Sequence, residues 1–320
     1  MQGNSTTIQD QKTQVEKLIA NISKVIIGKR EAIEYLIVGL LSGGHVLIED
    51  VPGVAKTMLA KSLALSINAD FKRIQFTPDL LPGDITGVSI FNQKTREFEF
   101  MKGPIFANIV LADEINRTTP RTQAALLEAM QEHRVTTDGV TYDLPKPFFI
   151  IATQNPIEYH GTYPLPEAQL DRFLMQISIG YPKKEGEKKM LLDREKADPL
   201  DSIKSVLNIE DIVALSKTVR EVHLDDSILN YVVDIVSATR DMPMVRLGAS
   251  PRASLALMEV SRVFAFLNKR DYVIPDDVKR LVYPILRHRL ILQPQALVKG
   301  VTSENVIREV LDKVIVPTKF

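Results

Sequence analysis

Short apolar runs along this chain alternate with stretches whose apolar positions recur at helical spacing. Residues 14–41 mix apolar and charged positions at the helical period, with a break at Ile26-Ile27-Gly28. Five β-branched or apolar runs follow, at 46–49, 73–76, 109–112, 148–152 and 174–179. Helical patterns at 56–67, 120–132 and 167–172 lie among them. Runs apolar on both faces that alternate with helices predict a parallel sheet covered on both sides. Two stretches interrupt the alternation. Residues 87–101 read as a hairpin inserted after the second strand, and 135–144 as another, turned at Asp138-Gly139.

Beyond Tyr181-Pro182 the strand signal fades. The charged run 183–189 predicts a solvated linker leading into a helix. Further helices are expected from Asn208, over 226–240, from Ser250-Pro251, from Pro275 and over 303–314. Ser250 would be a cap and Pro251 the first helical residue. The fold class is therefore α/β, a parallel-sheet domain followed by a smaller all-helical lid domain. The expected boundaries are a flexible leader over 1–14, the α/β domain over 15–182 and the lid over 183–320.

A length of 320 residues suits two domains. Forty basic residues balance forty acidic ones, so no global field draws in nucleic acid or anionic membrane. The absence of cysteine excludes disulfides, thiolate catalysis and zinc-thiolate sites. Residues 1–14 lack the apolar centre of a secretory signal, and the longest apolar run is far short of the ~20 residues of a membrane span. A soluble cytoplasmic protein is expected. His45, His133, His160, His223 and His288 show no metal-ligand spacing and read as surface or hydrogen-bonded residues.

The chemistry concentrates at the first strand. Val46–Glu49 is followed by Asp50-Val51-Pro52-Gly53-Val54-Ala55 and then Lys56-Thr57-Met58 opening a helix. Loop amides and a helix N-terminus attract phosphate oxygens, a lysine binds β/γ phosphates and a hydroxyl ligates Mg²⁺. Asp50 and Ala55 stand where the usual loop has glycine, which predicts weakened nucleotide affinity. The strand 109–112 ends in Asp113 and Glu114. Asp113 would hold Mg²⁺ through water and Glu114 would deprotonate the attacking water, the two side chains pointing opposite ways along a strand. Asn155, after the strand 148–152, offers a neutral amide to position that water; a turn before Pro156 is the competing reading.

Arg252 falls in the first turn of a helix, where a cation opposes the dipole unless phosphate or a surface carboxylate compensates it. Arg172 has Asp171 beside it, so a local ion pair competes with any catalytic role.

Together the phosphate loop, 111–117, 124–132, 153–156, the run 161–173 containing Glu-Ala-Gln-Leu-Asp-Arg-Phe, and Gly248-Ala249-Ser250-Pro251-Arg252 resemble the MoxR family of AAA+ ATPases. The resemblance spans about residues 15–315. It implies an AAA+ P-loop domain with a helical lid, ATP and Mg²⁺ as cofactors, and a homo-oligomeric, hexameric ring. It further implies Asp113 and Glu114 as the Walker B pair, Asn155 as sensor 1, Arg172 as a finger reaching a neighbour's nucleotide, and Arg252 as sensor 2. Ile27 and Gly28 would pass near adenine, and the hairpins would be the helix-2 and pre-sensor-1 inserts. Relatives act as chaperone-like remodelers of a protein client, with partners bearing a von Willebrand factor A-like domain. Alternatives are a nucleic-acid motor, disfavoured by balanced charge, a metal-chelatase motor subunit, and a weakly hydrolysing nucleotide-binding scaffold.

Overall fold

The computed structural model describes residues 3–156, 162–196 and 198–318; His160 and Gly161 lie outside them. Helices α1 (Gly3–Ser23) and α2 (Arg30–Leu41) separate at the expected break, where Gly28 takes a left-handed φ of 72°. Next come β1 (Val46–Glu49), α3 (Lys56–Ser66), β2 (Phe71–Gln75) and the short α4 (Pro82–Thr86). A hairpin of β3 (Gly87–Asn92) and β4 (Glu97–Lys102) leads to β5 (Ile109–Asp113) and α5 (Pro120–Glu132). A second hairpin, β6 (Arg134–Thr137) and β7 (Val140–Asp143), precedes β8 (Phe149–Gln154), α6 (Glu167–Leu170) and β9 (Met175–Ile177).

The remainder is helical. It comprises α7 (Lys184–Lys196), α8 (Ile209–Thr218), α9 (Asp226–Ala238), a short strand β10 (Val245–Leu247) and α10 (Pro251–Leu267). Then follow α11 (Pro275–Leu286), β11 (Ile291–Leu292), α12 (Pro294–Val298) and α13 (Ser303–Lys313). No described helix is long and apolar enough to cross a membrane.

The central sheet is parallel, in the order β2-β5-β8-β1-β9. Its residues alternate between two buried faces. Val46, Ile48, Ile109, Leu111 and Ile151 enter one core; Leu47, Val110, Ala112, Ile150 and Ala152 enter the other. Each large aliphatic side chain withdrawn this way contributes roughly 1.5–3 kcal/mol, which is why a period of two locks the register. The motif-bearing strands β1 and β5 flank β8, with Ile48 opposite Thr153 and Ala112 opposite Ala152. Their carboxyl ends therefore open onto one edge, the usual crevice of such sheets.

Three expectations change. Residues 3–14 belong to α1 rather than to a flexible leader, and buried Lys12 donates to the Lys269 carbonyl at 3.2 Å. All but the first residue of the charged run lies within α7, whose first turn carries Glu185 and Glu187, favourable at a helix N-terminus. Finally, β10 and β11 form a two-stranded ribbon that no sequence pattern announced. Both hairpins form, and they touch: Phe100 and Tyr142 stack with ring centroids 4.2 Å apart.

Candidate active site

The chain turns sharply between β1 and α3. Gly53 (φ 84°) and Ala55 (φ 65°) both adopt left-handed backbone, Ala55 serving as the N-cap of α3. A side chain in that conformation costs roughly 1–2 kcal/mol, a strain glycine would not carry. The turn aims the first residues of α3 into a cavity of 380 Å³, the size range of small-ligand sites. Pro52, Gly53 and Ala55 line it from the loop, Lys56, Thr57 and Met58 from the start of α3, Asp113 and Glu114 from the end of β5, and Asn155 from just past β8. Val51 and Val54 do not; Val54 is buried in the core.

Asp50 also stays out of the cavity. Its carboxylate accepts hydrogen bonds from the Ile179 and Gly180 amides, both at 2.6 Å, and from the Ser178 hydroxyl at 3.0 Å. Of the loop residues expected around a nucleotide, Asp50 thus turns its side chain away from the cavity, while its carbonyl accepts from Lys56 Nζ at 2.6 Å. Burial lowers the Lys56 pKa, while Asp50, Asp113, Glu114 and Glu49 oppose that effect by attraction.

Asp113 and Glu114 were expected on opposite sides of a strand. Instead Glu114 breaks the strand with φ 60° and ψ 50°, and both carboxylates face the same cavity. The Thr153 hydroxyl donates to Asp113 Oδ1 at 2.6 Å and accepts from the Glu114 amide at 2.9 Å, so β8 orients the pair. Arg73 grips Asp113 Oδ2 through Nε (3.0 Å) and Nη2 (2.7 Å), and Gln75 donates to Glu114 Oε2 at 2.7 Å. Arg117 Nε lies 3.1 Å from Glu114 Oε2. Arg73, Gln75 and Thr153 were not anticipated. The faint signal was polar residues two apart at the end of an otherwise strand-like run. The Thr57 hydroxyl and the Asp113 carboxylate on one cavity are hard oxygen donors, a set that fits Mg²⁺ carried by a triphosphate. Buried Asn155 sits beside them.

A second, 170 Å³ cavity adjoins the loop, sharing Gly53, Ala55 and Met58 and walled by Ile26, Ile27, Met190 and Arg194. Its apolar walls and position suit a base. Ile27 lines it; Gly28 does not and instead supplies the turn beside it.

The two anticipated arginines lie elsewhere. Neither Arg172 nor Arg252 lines the 380 Å³ cavity. Arg252 Nη1 is 3.8 Å from Asp171 Oδ2, and Arg289, its side chain only 2% exposed, holds Asp171 Oδ1 at 2.7 Å. The Ser250 hydroxyl, at the N-cap of α10, donates to Asp171 Oδ2 at 3.3 Å rather than capping its helix. Asp171 is thus committed to Arg289 and Arg252. Among the described residues Arg172 has no ion-pair partner, which removes the local pairing that competed with a catalytic role.

Comparison with known proteins bears on this geometry. Residues 45–175 match the ATPase family associated with various cellular activities (AAA), and residues 237–310 match the AAA lid domain. The uncharacterized protein YeaC of Bacillus subtilis is 54% identical over 303 residues, 95% of each chain. Chaperone MoxR1 of Mycobacterium tuberculosis is 44% identical over 312 residues, covering 95% of this chain and 82% of its own. A crystal structure from Cytophaga hutchinsonii superposes with a TM-score of 0.93 at 39% identity, covering 99% of both chains. The phosphate-loop cavity thus lies inside an AAA domain that is followed in sequence by its lid, and the similarity runs through both: this chain belongs to the MoxR family of AAA+ ATPases.

Proposed function

We propose that the protein is a Mg²⁺-dependent ATPase that assembles into a hexameric ring and uses hydrolysis to remodel a protein client. The observation that carries this reading is the convergence of Lys56, Thr57, Asp113, Glu114 and Asn155 on one cavity. Loop amides and Lys56 bind the phosphates, and the α3 N-terminus adds its dipole. Thr57 and Asp113 would hold the metal, which supplies charge neutralisation at the phosphate oxygens. Glu114 is the base toward the attacking water, and Gln75 and Arg117 hold its carboxylate in place. Asn155 orients the same water without adding negative charge.

Arg172 and Arg252 act on a nucleotide bound by the neighbouring subunit. Neither arginine lines this chain's own cavity, which supports that assignment for both. The client meets the inserted hairpins, where Phe91 and Phe98 are exposed at 53% and 74%. A chaperone role is named for the mycobacterial relative; for this chain it is part of the proposal, as is a von Willebrand factor A-like partner.

Titration calorimetry with Mg-ATP, paired with phosphate-release kinetics, tests the central claim. Glu114→Gln should bind ATP within a few-fold of wild type and lose roughly 10²–10⁴ in kcat. Turnover that persists in this variant, or proceeds equally in EDTA, removes the assignment.

A further inference from the structure

The chain leaves the sheet at Ile177 and enters α7 at Lys184. Between these points, residues 179–181 are gripped from two sides. Asp50 Oδ2 takes the Ile179 and Gly180 amides at 2.6 Å each, and Asp50 Oδ1 takes the Val51 amide at 2.9 Å. From the other side, Lys29 Nζ donates to the Ile179 carbonyl at 2.6 Å and the Tyr181 carbonyl at 2.7 Å. Gly180 makes the arrangement possible. Its φ of 66° lets adjacent amides converge on one carboxylate oxygen while the flanking carbonyls meet a lysine. Burial works against the charge on Asp50, yet the amides and the Ser178 hydroxyl outweigh it and hold the carboxyl below its usual range.

Both gripping residues stand in loops that face the nucleotide cavities. Asp50 opens the phosphate loop, and Lys29 follows Ile27-Gly28 on the base side. Downstream of the gripped segment, α7 supplies Met190, Asp193 and Arg194 to the wall of the 170 Å³ cavity. Glycine, the usual residue at the first loop position, could not make this connection. We propose that Asp50 and Lys29 are positioning residues that fix residues 179–181, and through them the α7 wall, against the nucleotide cavity. The first position of this phosphate loop holds the protein's own chain instead of phosphate. Nucleotide affinity then depends on Asp50 through α7 and not through contact. This inference rests on the nucleotide site described above.

The test combines hydrogen exchange of the 178–184 peptide with titration of a fluorescent N-methylanthraniloyl-ATP in Mg²⁺ buffer, on full-length protein. Asp50→Gly should speed exchange at Ile179 and Gly180 about tenfold or more and weaken nucleotide binding about tenfold. Asp50→Asn should recover most of the protection, because one side-chain oxygen receives both amides. Lys29→Met, an independent variant should Asp50→Gly fold poorly, should shift both readouts in the same direction by a few-fold. Unchanged protection in Asp50→Gly overturns the proposal. So does weaker binding with protection intact, which would make Asp50 a direct nucleotide contact. A wild-type protein that binds no nucleotide defeats the site reading and the affinity claim together, while the exchange difference still reports the grip.

Discussion

Two polar centres in this molecule are built on opposite plans. Around the phosphate loop, five side chains from the start of α3 and the ends of β5 and β8 converge on one cavity, and each carboxylate is already oriented by Thr153, Arg73 or Gln75. Around Asp171, the cations outnumber the acceptor: Arg289 and Arg252 share a single carboxylate, and Arg172 is left outside the pairing. The first centre is complete within one chain. The second offers charge outward, as a surface that gains its partner from another subunit would. On the proposed reading, catalytic geometry is divided between what folding assembles and what assembly must add.

The largest test of that division is Arg172→Ala. In assembled protein it should lower kcat by roughly 10³-fold or more, with Kd for nucleotide little changed. Mixing this variant with Glu114→Gln subunits should restore part of the activity at mixed interfaces; no restoration in a phosphate-release assay would place Arg172 in its own chain's site.

A pH titration probes the sheet that carries the phosphate loop, from the opposite end of β1. His45, wholly buried at the start of β1, has its pKa pushed down to about 4, chiefly by burial. Its Nε2 donates to the Met130 carbonyl and its Nδ1 accepts from the Ile150 amide, so only the neutral ring satisfies both. The unfolded chain takes up this proton near pH 6.5 and the folded one only near 4. Stability should therefore be intact above 6.5 and fall by about 3 kcal/mol as pH drops to 4. Denaturant melts of His45→Asn, which cannot charge but keeps the acceptor, should show a flatter slope over that window.

On the arginine side, Asp171→Ala strands the buried Arg289 cation. A fully buried pair costs 3–5 kcal/mol to break, but Asp171 keeps a quarter of its side chain exposed, so a loss of about 2 kcal/mol is expected by chemical denaturation. A loss no larger than that of Arg252→Ala would show that the lid does not rest on this pair. The smallest effect concerns the loop itself. Ala55→Gly releases the left-handed strain at the α3 N-cap and should raise stability by about 1 kcal/mol, with tighter nucleotide binding.

Much of this molecule was legible as sequence. The five sheet strands appear within a few residues of their expected runs, because burial on both faces demands unbroken apolar stretches. Pro120 and Pro275 marked helix starts correctly, proline being tolerated only where a donor is not needed. The charged run of α7 misled, since solvation and helicity are compatible and composition reports only the former. The ribbon of β10 and β11 is too short for any periodicity to register.

Local order along the chain determined which residue types could bind phosphate and metal: a turn, a lysine, a hydroxyl and strand-end carboxylates leave a signature in a dozen consecutive letters. Three-dimensional packing alone decided their company. That Arg73 meets Asp113 follows from β2 lying beside β5; that Asp50 turns from the loop to Ile179 and Gly180 follows from β9 lying beside β1. Such pairings join residues tens to more than a hundred positions apart, and no local pattern carries them, because the contact energy belongs to the register of the sheet and not to either segment.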